Sequence, residues 1–330
     1  MHNIFKNLIC TVGLVSTTTV YALEPTPNYM PTVDLTKSMT PAVGFNVLRV
    51  KPTTELPLAT GGAFRIVCTP SHMSNDDPIV YPNQPGAAHH HTFFGNTSTN
   101  YASDVNNMAI IGNSTCNGGL MNRSSYWMPS MIDTATNAAV LPTVAIFYYK
   151  KPHLTPFGVD IVAPPKGLRM IAGNMKAKTE LESSALFTCL SRTPFYGWKR
   201  GIPTCNVGET MQEMIKFPSC WDGINLDAPD HKSHMSYQSV SNTSANKCPA
   251  THPVAIPEIS LNLNYKVLQG VDMSKWRLAS DNYVGTSGYS AHADWVNGWN
   301  AIFMDGIVKN CLNKNMDCHA HLLGDMRMFY

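Results

Sequence analysis

The sequence predicts a mainly β protein: a single β-rich domain of antiparallel strands in a sandwich or jelly-roll-like arrangement, with long disulfide-stapled loops and a few peripheral helices. Three observations carry this expectation. Short runs rich in β-branched and aromatic residues recur along the chain. Clusters of Gly, Pro, Asn and Ser punctuate the segments between them. Nine cysteines are present, and only Cys10 lies in the apolar leader, so an even set remains for pairing.

The elements follow in chain order. Residues 1–22 read as a signal peptide cleaved after Ala22: one lysine in "MHNIFKN", an apolar run in "LICTVGLVSTTTV", and small or tolerated residues in "VYA". This predicts a secreted or periplasmic protein. The run is too short and too rich in threonine for a membrane anchor, and no later stretch is long and apolar enough to cross a bilayer. Residues 23–60 form an arm rich in Pro and Thr, and residues 61–330 form the domain. Within it "AFRIVCTP", "AVLPTVAIFYYKK", "GLRMIAG", "SALFTCLS" and "ISLNLNYKVL" read as strands. "GETMQEMIKF" (208–217) reads as a short helix. Residues 293–312 read as a longer one, with Trp295, Trp299, Phe303 and Ile307 at four-residue spacing and Gly298 and Gly306 weakening it.

Composition narrows the function classes. The chain has 330 residues, 44% hydrophobic and only 14% charged, with a net charge of +2. Bulk charge therefore gives no reason to expect nucleic acid or an acidic membrane surface as partner. The eight remaining cysteines suggest four disulfides between sequence neighbours: Cys68–Cys116, Cys189–Cys205, Cys220–Cys248 and Cys311–Cys318. Zinc ligation by cysteine is the weaker alternative, because no pair has the C-x2-C spacing.

The histidines are unevenly placed. In "GAAHHHTFFGN" a strand would turn His89 and His91 to one face and His90 to the other, with Phe93 continuing the first face and Gly95 free to end the strand. An H-x-H pair is a common way to give two imidazoles to one ion. "CWDGINLDAPDHKSHMSY" holds Trp221, Asp222, Asp227, Asp230, His231 and His234, and Asp230 could orient a ring. The plainer reading is a pinned surface loop whose Asp and His residues cap turns. "SAHADWVNGWN" holds His292 and Asp294, where Asp294 alone reads best as a helix cap. His72, Asp76 and Asp77 in "SHMSNDDP" are explained by turn chemistry, and "CHAH" (318–321) is a weaker H-x-H.

These blocks together resemble a secreted family of fungi and bacteria known as domain of unknown function nineteen ninety-six. The likeness rests on "DDPIVYPNQPGAAHHHTFFGN", "YWMPSM", "FPSCWDG…DHKSHMSY", "CPATHPVAIPEI" and "HADWVNGW", in family order over roughly residues 60–312. It implies that His89 and His91, His231 and His234, and His292 with Asp294 take the family's histidine and aspartate positions. One departure is Asn83, where a glycine is expected. Membership implies no activity. Some members stand beside carbohydrate-binding modules on fungal wall proteins, so an extracellular glycan or cell-wall component is the implied partner.

Two functions follow from these residues. One is a hydrolase or lyase of extracellular polysaccharide that uses a divalent metal, zinc or copper, held by His89, His91, His231, His234 and His292. Alternatively, Asp222 or Asp230 could work as general acid or base with His234 or His292, and Asp294 is a further candidate for that role. The other is a non-catalytic glycan-binding protein with a structural metal or none. Phe93, Trp127, Trp221 and Trp295 are the expected sugar-stacking rings in either case. No nucleophile elbow, H-E-x-x-H or P-loop is present. A copper oxygenase that ligates through its N-terminal residue is disfavoured, since the expected mature start is Leu23.

Overall fold

A computed structural model describes residues 30–108, 110–152, 159–239 and 247–330. The expected signal peptide lies outside these residues.

Two five-stranded antiparallel sheets dominate. The first runs Leu186–Leu190, Thr210–Lys216, Glu258–Lys266, Val144–Lys150, Ala63–Cys68. The second runs Pro70–Ser74, His91–Gly95, Ser125–Pro129, His292–Val296, Arg169–Gly173. Three smaller sheets decorate them, one of which pairs Val50–Pro52 of the N-terminal arm with Arg327–Phe329. The described residues hold few helices, as expected.

Side-chain alternation explains how the sheets meet. Along Ala63–Cys68, Val144–Lys150 and Thr210–Lys216, every second residue is buried and the others are partly or fully exposed. The buried set includes Phe64, Ile66, Phe147, Tyr149, Met211 and Ile215. The second sheet answers with Phe94, Tyr126, Met128, Met170 and Trp295 in the same core. The contact is direct: the rings of Tyr126 and Phe147 lie 4.5 Å apart, and the Tyr126 and Tyr149 hydroxyls share a 2.6 Å hydrogen bond. Each such aromatic removes enough surface from water to contribute about 2–3 kcal/mol.

Three strands of the second sheet, His91–Gly95, Ser125–Pro129 and His292–Val296, are buried on both faces. Their second face carries a separate small core of Ile79, Phe93, Met108, Trp127 and Val296, with Ile171 packed against it. Gly95, at φ +83°, ends the first of these strands as expected; a side chain there would run into the Ser124 carbonyl.

The four disulfides pair as the sequence suggested, Cys68–Cys116, Cys189–Cys205, Cys220–Cys248 and Cys311–Cys318. Such bridges are consistent with an extracellular protein. Among the described residues, no helix is long and apolar enough to cross a membrane.

Both expected helices are corrected. Residues 208–217 contain the inner strand Thr210–Lys216, hydrogen-bonded on both sides. The helix-forming Met, Gln and Glu residues lose to sheet pairing there, which buries Met211, Glu213 and Ile215 on one face. Residues 293–312 divide into the strand His292–Val296, the helix Ala301–Ile307 and a π turn, Val308–Leu312. Between strand and helix, the Asn297 amide donates to the Pro164 and Pro165 carbonyls. Asn300, not Asp294, caps the helix, accepting from the Ile302 N–H. Asn83 sits at φ +60°, a left-handed conformation that asparagine tolerates well, which accounts for its standing where a glycine is expected.

Candidate metal centre

The site lies on the second face of the second sheet, and strand geometry builds it. His91 and Phe93 share that face, and Phe93 stands opposite Trp127, which stands opposite Asp294. His292 lies two residues before Asp294 and points the same way. His89 precedes the His91 strand and rejoins the cluster, with its ring centroid 4.3 Å from that of His91 and 4.9 Å from that of His292. His90 turns away, as alternation predicts, and bonds the Ser130 hydroxyl at 2.9 Å.

The free nitrogens converge. The Nδ1 of His91 donates to the Asp76 carbonyl at 3.1 Å, and the Nδ1 of His292 donates to the Ser290 carbonyl at 2.9 Å. A backbone carbonyl on one ring nitrogen leaves the other as a bare lone pair, which is how ligating histidines are oriented. The Nε2 atoms of His89 and His292 are 3.2 Å apart. Two nitrogens each about 2.0–2.1 Å from a tetrahedral ion would stand about 3.3 Å apart. The Nε2 of His91 is buried and has no hydrogen-bond partner.

Electrostatics favour ligation. Burial, then the neighbouring His292, holds His89 down to about 2, and burial holds His292 down to about 4. His91 is likewise pushed well below its ordinary value by burial and then by His89. The rings are therefore neutral at ordinary pH and able to donate lone pairs.

Two carboxylates complete the surroundings. Asp294 is buried, and neither of its oxygens has a hydrogen-bond partner. Burial, then the nearby Asp77, pushes it well above the ordinary carboxylate range. Asp77 is also raised by burial, although its Oδ1 accepts the Ile79 and Val80 N–H groups at 2.9 Å. The Trp127 indole nitrogen has no partner in hydrogen-bond geometry, yet it lies close enough to favour the charged form of Asp77. Turn chemistry explains Asp77, as expected, but it was not expected in the site. No spacing rule marks it, because a turn brings it there.

His89, His91 and His292 form one group that could hold a metal ion, with donor atoms within 4.8 Å of one another. Asp77, His91 and Asp294 form a second. A third, Cys189, Cys205 and Glu209, offers no thiolate because its cysteines are bonded to each other.

The expected set of five histidines is thus corrected to three. His231 and His234 belong to neither histidine-containing group. His231 Nδ1 is 3.0 Å from the Asp227 carboxylate, which also pairs with Arg169. His234 Nε2 donates to the Arg169 carbonyl at 2.7 Å. Their loop still borders the site, since Lys232 donates to the Gly173 carbonyl at 3.0 Å and Gly173 stands opposite His292.

Asp222 and Asp230 are turn caps. Partial burial pushes Asp222 up, but the Ile224 and Asn225 N–H groups outweigh it and hold it below its ordinary value. The Ser233 and Lys232 N–H groups hold Asp230 at about 2. A carboxyl held that low carries no proton to donate at neutral pH, so the expectation of an acid role for Asp230 is corrected.

Phe93, Trp127 and Trp295 are fully buried, which corrects the expectation that they stack on sugar. Phe93 stacks instead on His72 and Trp127, with centroids 4.6 and 5.5 Å away. Trp221 is partly exposed and donates to the Asn225 carbonyl at 2.7 Å. A cavity of about 250 Å³ is lined by His89 and His90 and by Met30, Pro31, Val33 and Leu35 of the arm.

The fold and the site define a disulfide-braced β sandwich with a buried histidine–aspartate cluster. Residues 77–299 match the family described as Domain of unknown function (DUF1996), and the chain belongs to that family. No curated protein and no solved structure matches the chain.

Proposed function

We propose that the protein is an exported metal-dependent hydrolase or lyase acting on extracellular polysaccharide, with a zinc or copper ion ligated by His89, His91 and His292. The convergence of three imidazoles, two of them locked at Nδ1 by backbone carbonyls, is the observation that carries this reading. A buried, unpartnered His91 nitrogen would cost roughly 1–3 kcal/mol if packing were its only role.

The bound ion would supply Lewis acidity, polarising a substrate oxygen or water. Asp294, which shares a donor group with His91, would be the acid–base group beside the ion. His89 is the ring of the three that is not fully buried, and it faces the cavity through which a substrate would approach. The four disulfides suit export, and the polysaccharide assignment rests on the family's extracellular setting.

The test is to purify the exported protein loaded with zinc or copper and incubate it with a panel of polysaccharides. Product release that His91→Ala abolishes, with the fold intact, supports the reading. Glycan retention without products, unchanged by a chelator, contradicts it and supports a binding protein instead.

A further inference from the structure

The carbonyl that anchors His292 is itself held. Ser290 lies two residues before His292, and its carbonyl accepts the His292 Nδ1–H at 2.9 Å. The Ser290 side chain is fully buried, and its hydroxyl donates to Asp281 Oδ1 at 2.6 Å. A serine has one hydroxyl proton, and Ser290 commits it to Asp281. The Ser280 hydroxyl, 2.7 Å away, therefore donates to the Ser290 oxygen.

Asp281 is equally buried. Its Oδ2 accepts the Leu278 N–H at 3.0 Å and the Gly288 N–H at 2.8 Å. Leu278 ends the strand Trp276–Leu278, and Gly288 lies just before the strand His292–Val296. One carboxylate thus ties together both ends of the loop that leads into the metal centre. The two N–H contacts are enough to close that loop. The contact of Asp281 with Ser290 does something more, because Ser290 touches His292.

Ring orientation decides whether a histidine can ligate. Half a turn about the Cβ–Cγ bond of His292 would put a carbon where Nε2 now stands, 3.2 Å from the Nε2 of His89. The Nδ1–H bond to the Ser290 carbonyl opposes that rotation. His91 is anchored on a separate turn, by the Asp76 carbonyl, where Asp76 Oδ1 accepts the Gly86 N–H at 3.1 Å.

Resting on the metal reading above, we propose that Asp281 is a positioning residue of the metal centre, acting through Ser290 to fix the carbonyl that holds His292. Asp281 is not itself a ligand. It keeps His292 Nε2 turned toward the ion, as partners of ligating histidines do at one remove.

The test compares Ser290→Ala with the full wild-type chain in two measurements. Proton exchange at the ring Nδ1–H of His292 and His91 is followed by NMR in metal-free protein, and zinc affinity is read by competition with a chelator. Ser290→Ala is expected to speed exchange at His292 several-fold, to leave His91 unchanged, and to weaken zinc binding about tenfold. Asp281→Asn serves as the second variant should Ser290→Ala fail to fold. Its amide oxygen can keep the two N–H groups while its NH2 no longer accepts from Ser290, and the same direction is expected. Unchanged His292 exchange and zinc affinity in a folded variant overturn the proposal, and zinc loss in His91→Ala then leaves the metal reading intact. Equal acceleration at His91 and His292 is general loosening and overturns the proposal too. Zinc binding that His91→Ala does not alter overturns both.

Discussion

His89 and His292 are 203 residues apart in the chain, and their Nε2 atoms stand 3.2 Å apart in the fold. Neither segment could build this contact alone. The pairing of the His91 strand with Ser125–Pro129, and of that strand with His292–Val296, brings them together.

The first prediction follows from this pairing. Gly173, opposite His292, sits at φ +87°, and a side chain there would press on the Ala291 carbonyl and the His292 backbone. Gly173→Ala is expected to displace His292 and lower metal affinity about 10–100-fold, together with a loss of stability of at least about 1 kcal/mol. Competition against a coloured zinc chelator measures this. Unchanged affinity would count against His292 as a ligand.

Acid should weaken the metal-stripped protein. His292 and His90 are held at about 4 by burial, against an ordinary 6.5. Below about pH 6.5 the unfolded chain takes up protons that the folded chain refuses, so stability is full above that pH and falls as pH drops toward 4. For His292 the loss is roughly 3 kcal/mol. Urea midpoints across this range should fall, and His292→Gln should flatten the slope.

Alkali acts through a different group. Glu213 is buried in the first sheet, neither oxygen has a partner, and burial, then Asp281, pushes it up to about 8. Its folded value exceeds its unfolded one, so its contribution is full below about 4.5 and lost as pH rises toward 8. Glu213→Gln is expected to stabilise the protein at pH 9 by roughly 3–5 kcal/mol, read as a higher melting temperature, with little gain at pH 5.

The Cys220–Cys248 bridge spans 28 residues and anchors the loop that borders the site. Replacing both cysteines with serine is expected to cost about 3–4 kcal/mol in denaturant unfolding. Metal affinity should change little, because the three imidazoles lie on other segments.

Much of this was legible in the sequence, and the failures have physical causes. Alternation separated His90 from His89 and His91, although the strand begins only at His91. Sequence-neighbour pairing named all four disulfides. Residues 208–217 misled because helix propensity is worth only tenths of a kcal/mol per residue, less than two rows of sheet hydrogen bonds and a buried face. Asp294 looked like a cap because the helix was expected too early; the turn at Asn297 moves the cap to Asn300. Phe93 and Trp127 looked like sugar platforms because a sequence does not reveal that the second sheet face is also covered. Asp77 was hidden by having two roles, a turn closed by its own carboxylate and a place in the site.

Metal stoichiometry tests the central claim most directly. The exported protein is dialysed against zinc, manganese(II) and copper(II) in turn, and bound ion is counted per chain beside His91→Ala and His90→Ala. The account predicts one tightly bound ion in the wild type and in His90→Ala, and none in folded His91→Ala. No stoichiometric ion in the wild type, or an equal amount in His91→Ala, would contradict it.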